Sequence, residues 1–546
     1  MKIYRFARAI SLCALVAGSI STANSSEKQK RAPALMPGLG EVHHAVSTKN
    51  HQAQQFFDQG LKLVFGFNHD EARRSFQRAA ELDPKLAMAW WGVALTLGPN
   101  YNLPVDLERE KAGYEAAQRA VALKENASEP ERAYIDAVAT RYSNDPKADL
   151  HALDLTYKNA MGNVAARYPD DLDAATLSAE SAMNLRPWHL WSADGKPAEG
   201  TEEIVSVLES VLKRDPNHLG ANHYYIHAVE ASLHPERALA SADRLTKLAP
   251  AAGHLTHMPA HIYARVGDHG ASAHCNQLAA AADRKFLAAT GQEGVYPMMY
   301  YSHNLHFLAY AGCMRGDFNE AKDAAAKLVA NVAPHVKMMA DLEGFMPTGT
   351  MVLLAFERWD DILKSAEPDP KMLNTTAIWH FARGLAFANR GKTAEAEREQ
   401  AAARETVGKV SPEAMFDPLN KAVAVLKVPE SLLVGAIARS RGDLPGASAA
   451  LAEAVAAEDA LNYSEPPPWY PPVRPALGAL LLANKQPAEA EKVFRADLDR
   501  NPRDARALSG LRDTLKAQGR GYEALQIDQQ YRDAWKTAGA TASSSH

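Results

Sequence analysis

This 546-residue sequence has no excess of basic residues, and this absence excludes one class of partner. The chain carries 60 Lys and Arg against 65 Asp and Glu, for a net charge of −5. Three of the positive charges, Lys2, Arg5 and Arg8, lie in the first eight residues, and their removal would lower the net charge to −8. An acidic chain without a basic patch is a poor nucleic-acid binder, so we expect no nucleic-acid partner.

Long apolar runs are also missing, except near the start of the chain. Residues 1–23 combine a positive segment, the apolar run "AISLCALVAGSI" and the small residues "STA". The apolar run is too short to span a bilayer, and its flanks are typical of a secretory signal peptide that is cleaved after Ala23. We therefore expect the mature chain to be exported, to the periplasm, and not to span the membrane. Export would permit a disulfide between Cys275 and Cys313, which the sequence leaves open.

The common catalytic signatures are absent as well. The sequence contains no H-E-x-x-H, G-x-S-x-G or C-x-x-C motif. The segment "NRGKT" at 389–393 is similar to the end of a phosphate-binding loop, but the first glycine of that motif would fall at Ala386. The familiar hydrolase, redox and nucleotide-binding motifs therefore give no function.

A repeated helical pattern is what the sequence does contain. In "FFDQGLKLVFGFNHDEARRSFQRAAELDP", Gly60 is followed by Ala72, Phe76, Ala79 and Pro84. A small residue lets two helices approach, an aromatic ring fills the space between them, and proline ends the second helix. This pattern resembles the tetratricopeptide repeat (TPR), a helix–turn–helix unit of 34 residues, and it recurs from residue 53 to residue 535.

The resemblance implies an all-α fold, a right-handed superhelical solenoid of about ten TPR-like helix–turn–helix repeats. The first helix of each repeat would line a concave groove that binds a peptide, a protein or a small molecule. The predicted organisation along the chain is a signal peptide at 1–23, an N-terminal arm at 24–52, repeats at 53–171, histidine-rich repeats at 172–335, repeats at 336–463, a proline-rich linker at 464–475, repeats at 476–535 and a disordered tail at 536–546.

Histidines are concentrated in the central repeats. Of the 20 histidines in the chain, eleven fall between His218 and His306. With repeats starting at Leu219 and Gly253, which are 34 residues apart, histidines recur at shared repeat positions. They recur again in the next repeat after an insertion of 15 residues. The matched positions are His223 with His257 and His306, His227 with His261, and His254 with His303.

The helical period brings these histidines to one face. Each residue turns a helix by about 100°, so His227 lies about 40° from His223, and Glu230 lies about 20° away on the other side. In the TPR family such positions face the groove, which would bring together His223, His227, Glu230, His254, His257, His261, His303 and His306. Seven imidazoles placed together favour a bound cation, because they would repel one another if protonated.

The ligand type predicts a transition metal: copper, zinc or iron. Met258, Met298 and Met299 nearby favour copper weakly. Three interpretations of the site stay open. They are a mononuclear zinc-type hydrolase with Glu230 as catalytic base, a dinuclear copper or iron oxidase-like site, and a closed site that stores metal without catalysis.

Two further residues are candidates for contacting a substrate. Glu180 in the preceding repeat matches a groove position, and Arg265 falls where the TPR family often binds a ligand carboxylate. The segment "RPWHLW" at 186–191 would either cover the groove or cap its helix. The alternative function is a TPR scaffold of the cell envelope that binds peptides or proteins without metal.

Overall fold

The computed structural model describes residues 33–536, which form helices joined by loops and contain no β-strand within that range. Two compact units can be distinguished. The first unit comprises 33–262 and 278–297, and the second comprises 263–277 and 298–536. No helix in the described part of the chain is long and apolar enough to cross a membrane.

The helices of the first unit are mostly 10 to 18 residues long. They are His51–Phe65, His69–Leu82, Ala87–Leu97, Leu107–Ala122, Glu129–Ala139, Leu150–Arg167, Leu172–Met183, Thr201–Arg214, Leu219–Val229, Leu239–Leu248 and Gly253–His257, with short 3₁₀ turns at Lys124–Asn126 and Pro235–Ala238. The borders between the units fall within Pro259–Arg265, within His269–Thr290 and within the π-helical turn Tyr296–Tyr300.

The second unit is built in the same way. Its helices are Tyr301–Arg315, Phe318–Val332, Thr348–Ala355, Trp359–Lys364, Leu373–Asn389, Thr393–Val407, Ala422–Ser440, Leu444–Asp459, Arg474–Ala483, Pro487–Arg500, Ala505–Ala517 and Gly521–Lys536, with a 3₁₀ segment at Ala340–Phe345. Consecutive helices pack as pairs, for example Leu373–Asn389 with Thr393–Val407.

Side chains at the helix starts fix where these pairs begin. Asn50 and Asn68 accept hydrogen bonds from the first backbone N–H groups of the first two helices. Asp317 and Asp443 do the same in the second unit. The first N–H groups of a helix have no partner within the helix, so each such cap stabilises a boundary by about 1 kcal/mol.

The predicted contact between small and aromatic residues is present. A Cβ atom added to Gly60 or Gly92 would lie 2.6 or 2.4 Å from the ring of Phe76. In the second unit, Phe494 lies equally close to Gly478 and Gly510. Glycine is needed at these positions because the aromatic ring occupies the space of its missing side chain. The predicted all-α helix–turn–helix architecture is thus confirmed, and the right-handed superhelix stays a prediction.

The turn between paired helices has one recurring geometry. A residue with positive φ is followed by a residue whose N–H donates to the carbonyl five positions earlier. Glycine fills the positive-φ position at Gly316, Gly391, Gly442 and Gly519, where it costs least. Phe67 fills the same position in the first repeat, with φ 53° and only 3% exposure.

One predicted helix is divided. The repeat frame placed His254, His257 and His261 on a single first helix, but the structure ends a helix at His257 and starts another at Pro259. Proline lacks a backbone N–H and is suited to the first position of a helix, so the chain changes course at Met258.

Other segments of the predicted organisation have the following places. The signal peptide (1–23) and residues 537–546 of the predicted tail lie outside the described residues. In the 464–475 segment, predicted to be a linker, Trp469 and Tyr470 are buried. Cys275 and Cys313 are both buried and are not joined by a disulfide.

Candidate metal centre

Five of the predicted histidines lie together in the first unit. His223 and His227 are on the Leu219–Val229 helix, His254 and His257 are on the next repeat's short helix, and His261 follows in Pro259–Arg265. All five side chains are buried, with at most 2% exposure. Two repeats therefore contribute to one histidine cluster.

Three of these side chains have the geometry of a ligand set. His223, His227 and His254 each offer one ring nitrogen, and these three nitrogens lie within 4.8 Å of one another. The Nε2 atoms of His223 and His227 are buried and have no hydrogen-bond partner among the described residues. A buried polar atom without a partner costs about 1–3 kcal/mol, so an arrangement of two such atoms needs a physical reason.

The other ring nitrogen of each of these two histidines is held by a hydrogen bond. Nδ1 of His223 donates to the backbone carbonyl of Phe65 at 2.6 Å, and Nδ1 of His227 donates to Oε1 of Glu230 at 2.8 Å. With the proton on Nδ1, each neutral ring presents the lone pair of its Nε2. Histidines that bind metals in proteins are held in the same way.

Glu230 connects two parts of the cluster. It is fully buried at the C-terminal end of the Leu219–Val229 helix. Its Oε1 accepts from His227, and its Oε2 accepts a short hydrogen bond from Nδ1 of His261. One carboxylate thus orients imidazoles from two successive repeats.

A second pair of nitrogens lies beside this carboxylate. Nε2 of His257 and Nε2 of His261 are 2.8 Å apart. Since Nδ1 of His261 carries the proton that it donates to Glu230, its Nε2 presents a lone pair toward His257. The rings of His227 and His261 have centroids 5.9 Å apart, and those of His254 and His257 are 6.0 Å apart.

The electrostatics keep the ligand set neutral. Burial lowers the pKa of His223 and of His254 well below the ordinary value, and neighbouring histidines lower it further. Burial also lowers the pKa of His227, although Glu230 opposes this effect. Burial alone would raise the pKa of Glu230, but His261 and His227 lower it to about 2. The imidazole lone pairs are therefore available beside a buried carboxylate.

Aromatic side chains surround the histidines. The ring of Phe67 lies against His223, His227 and His254, with centroid distances of 4.6, 5.8 and 5.4 Å. Tyr101 and Trp188 contact His227 at 5.0 and 5.6 Å. Trp188 belongs to "RPWHLW", the segment predicted either to cover the groove or to cap its helix, and its ring lies edge-on to that of His227.

Phe65, Phe67 and Tyr101 were not identified from the sequence. Phe65 ends the first helix of the chain, Phe67 lies in the turn after it and Tyr101 follows the third helix, so no histidine periodicity points to them. The one sequence feature that marks Phe67 is that it stands where most other repeats have glycine. Non-glycine residues in this backbone region often lie at functional sites.

The remaining predicted site residues are His303, His306, Arg265 and Glu180. His303 and His306 lie on Tyr301–Arg315 in the second unit, where burial lowers the pKa of His306 to about 4. Arg265, also in the second unit, lies over the ring of Tyr463. Glu180 is buried in the first unit and accepts from Asn184 at 2.5 Å, and burial raises its pKa.

Comparisons with known proteins give similarity of structure only. No protein-family model matches the sequence, and no curated protein matches it significantly. Among solved structures, a human IFIT1 dimer with PPP-AAAA is 13% identical, with a TM-score of 0.35, covering 90% of this chain and 96% of that one. The yeast Tom70 structure is 11% identical, with a TM-score of 0.32, covering 90% and 100%. The P58(IPK) TPR domain is 12% identical, with a TM-score of 0.23, covering 86% and 98%.

Proposed function

We propose that this chain is a metal-binding helical-repeat protein that holds a transition-metal ion through His223, His227 and His254. The observation that carries the proposal is the pair of buried Nε2 atoms without a hydrogen-bond partner, in rings whose Nδ1 atoms are already engaged. A bound cation would satisfy both lone pairs.

The donor set fits the metals expected from the sequence. Neutral imidazoles suit zinc, copper and iron. Three histidine ligands leave a position for water or a substrate, which is the composition of several catalytic zinc sites. In this proposal Glu230 lies outside the coordination sphere, where it orients His227 and keeps the proton on its Nδ1.

Metal content tests the proposal directly. The purified full-length chain is stripped with a chelator, reloaded separately with zinc, copper or iron, and analysed for bound metal after gel filtration. We expect bound metal in the wild type. His223→Ala and His254→Ala should each weaken binding by more than about 100-fold, because even partners outside the coordination sphere contribute about 10–100-fold.

A matched control separates loss of a ligand from loss of a histidine. His234 follows the same helix, but its side chain is 72% exposed, so His234→Ala should bind metal like the wild type. Circular dichroism establishes that the variants remain helical. If the wild type binds none of the three metals, the proposal is wrong, and a metal-free scaffold that binds peptides or proteins becomes the better hypothesis.

We also propose that residues 1–23 direct export to the periplasm. The support is the sequence of that segment alone. Mass spectrometry of the chain recovered from an exporting bacterial host should show a mature N-terminus at Asn24. Recovery of the intact leader in the cytoplasm would contradict this proposal.

A further inference from the structure

The pair His257 and His261 is not used by the three-histidine ligand set. Both side chains are buried with at most 1% exposure, and their Nε2 atoms face each other at 2.8 Å. A single metal ion held by His223, His227 and His254 gives no role to this pair, and two lone pairs at that distance would repel each other. Either a proton or a cation must therefore lie between these two nitrogens.

We propose that His257 and His261 hold a second transition-metal ion next to the first, with Glu230 orienting one ligand of each ion. This inference rests on the proposed function, because it adds a position to the same histidine cluster. Two oxygens of one carboxylate fix the two Nδ1 protons, so His227 turns its Nε2 toward the first position and His261 turns its Nε2 toward the second.

The spacing of the pair fits coordination. Ligand nitrogens at about 2.0–2.1 Å from one ion are separated by about 2.9 Å when their bonds meet at a right angle, as in square-planar or octahedral coordination, and by about 3.3 Å in a tetrahedron. The observed 2.8 Å is close to the right-angle value. His257 ends one short helix and His261 lies on the Pro259–Arg265 helix that begins two residues later, and the two Nε2 atoms still meet at 2.8 Å.

The neighbouring ring positions place the two sites side by side. His254 and His257 are stacked with an angle of 28° between their planes and belong to different sites. His227 and His261 meet nearly edge to face, at 81°. In enzymes with two metal ions, the ions stabilise the attacking and the leaving oxygen of an in-line displacement. This displacement is the class of reaction to assay once two ions are found.

Zinc stoichiometry tests the second position. Zinc chloride is titrated into the metal-free full-length chain by isothermal titration calorimetry, and bound zinc is counted by elemental analysis. We expect two zinc ions per chain in the wild type and in the exposed control His234→Ala. His257→Ala should bind one, since the hydrogen bonds of Glu230 to His227 and His261 remain. His257→Gln, which keeps more of the buried volume, should also bind one.

The outcomes separate this inference from the proposed function. If the wild type binds one zinc ion and His223→Ala binds none, the first site is supported and the second is wrong. His257 and His261 would then be joined by an N–H···N hydrogen bond. Two ions retained in both folded His257 variants would also overturn it. A wild type that binds no zinc, copper or iron overturns the proposed function, and the second site with it.

Discussion

At the scale of single residues, the cluster depends on which nitrogen of each imidazole carries the proton. Phe65 and Glu230 accept from the Nδ1 atoms of His223 and His227, and the two Nε2 atoms have no hydrogen-bond partner among the described residues. The same histidines with the opposite tautomer would offer protons in place of lone pairs. Buried hydrogen-bond acceptors therefore matter as much as the histidines themselves.

Glu230→Gln tests this dependence. An amide oxygen can accept one of the two Nδ1 protons, but the amide nitrogen is a donor, so one imidazole must change its tautomer or lose its partner. We expect zinc affinity to fall by about 10–100-fold, measured by competition with a chromophoric chelator. Glu236→Gln, at an exposed His–Glu pair on the next turn, is the control. Equal zinc affinities in the two variants would contradict the orienting role.

At the scale of elements, the first helix hairpin departs from the others at its turn. Glu357 and Lys485 also have positive φ, but both are exposed, whereas Phe67 is buried against the histidines. A bulky residue in this backbone region costs about 1–2 kcal/mol relative to the ordinary helical region. The turn therefore keeps a strained residue where its ring lines the candidate metal centre.

A pair of substitutions separates strain from packing. Phe67→Gly and Phe67→Ala both remove the ring, but glycine also relieves the backbone. Phe67→Gly should therefore be more stable than Phe67→Ala by about 1 kcal/mol, measured from urea unfolding midpoints. The exposed Glu357 provides the reference, because Glu357→Gly should be more stable than Glu357→Ala by a similar amount. A Phe67→Ala variant as stable as Phe67→Gly would show that the turn is not strained.

At the scale of the first unit, the N-terminal arm is joined to distant repeats by charged hydrogen bonds. Nδ1 of His44 lies 2.8 Å from Asp173, and Nε2 of His218 lies 3.2 Å from the other oxygen of the same carboxylate. The backbone N–H of Ala251 donates to the carbonyl of Gly38. These contacts hold residues 38–44 against repeats that follow more than 120 positions later, although the sequence alone gave the arm no place.

The pH dependence of this attachment follows from two opposite shifts. Burial alone would lower the pKa of His44, but the hydrogen bond and charge of Asp173 raise it above 6.5. Burial alone would raise the pKa of Asp173, but His218 and His44 lower it. The contribution to stability is complete between about pH 4 and pH 6.5 and is lost as pH rises through the raised pKa of His44.

The thermal midpoint of His44→Ala should therefore fall below that of the wild type by more at pH 5.5 than at pH 8.5. His43→Ala is the matched control, because the neighbouring His43 also pairs with an aspartate, Asp58, but its side chain is 68% exposed. We expect little effect from the control at either pH. If His44→Ala lowers the thermal midpoint equally at both pH values, the contact between His44 and Asp173 is not a charged one.

The sequence by itself determined the repeat and its consequences. The period of 34 residues and the spacing of Gly60 and Phe76 within it predicted pairs of helices, which the structure contains. The recurrence of histidine at His223, His257 and His306, and at His227 and His261, predicted that three repeats present histidines to one groove. Local spacing is sufficient for these features because the helix period and the repeat length alone set which side chains share a face.

Only the tertiary structure decided how the cluster is completed. The Phe65 carbonyl ends the first helix and the Phe67 ring belongs to the turn after it, both more than 150 positions before His223, and no periodicity relates them to it. Glu230 was singled out by spacing, but its two bonds to His227 and His261 depend on how successive repeats pack and on the break at Met258. The tautomer of each histidine and the groups that hold its Nδ1 are set by three-dimensional packing, which spacing along the sequence does not encode.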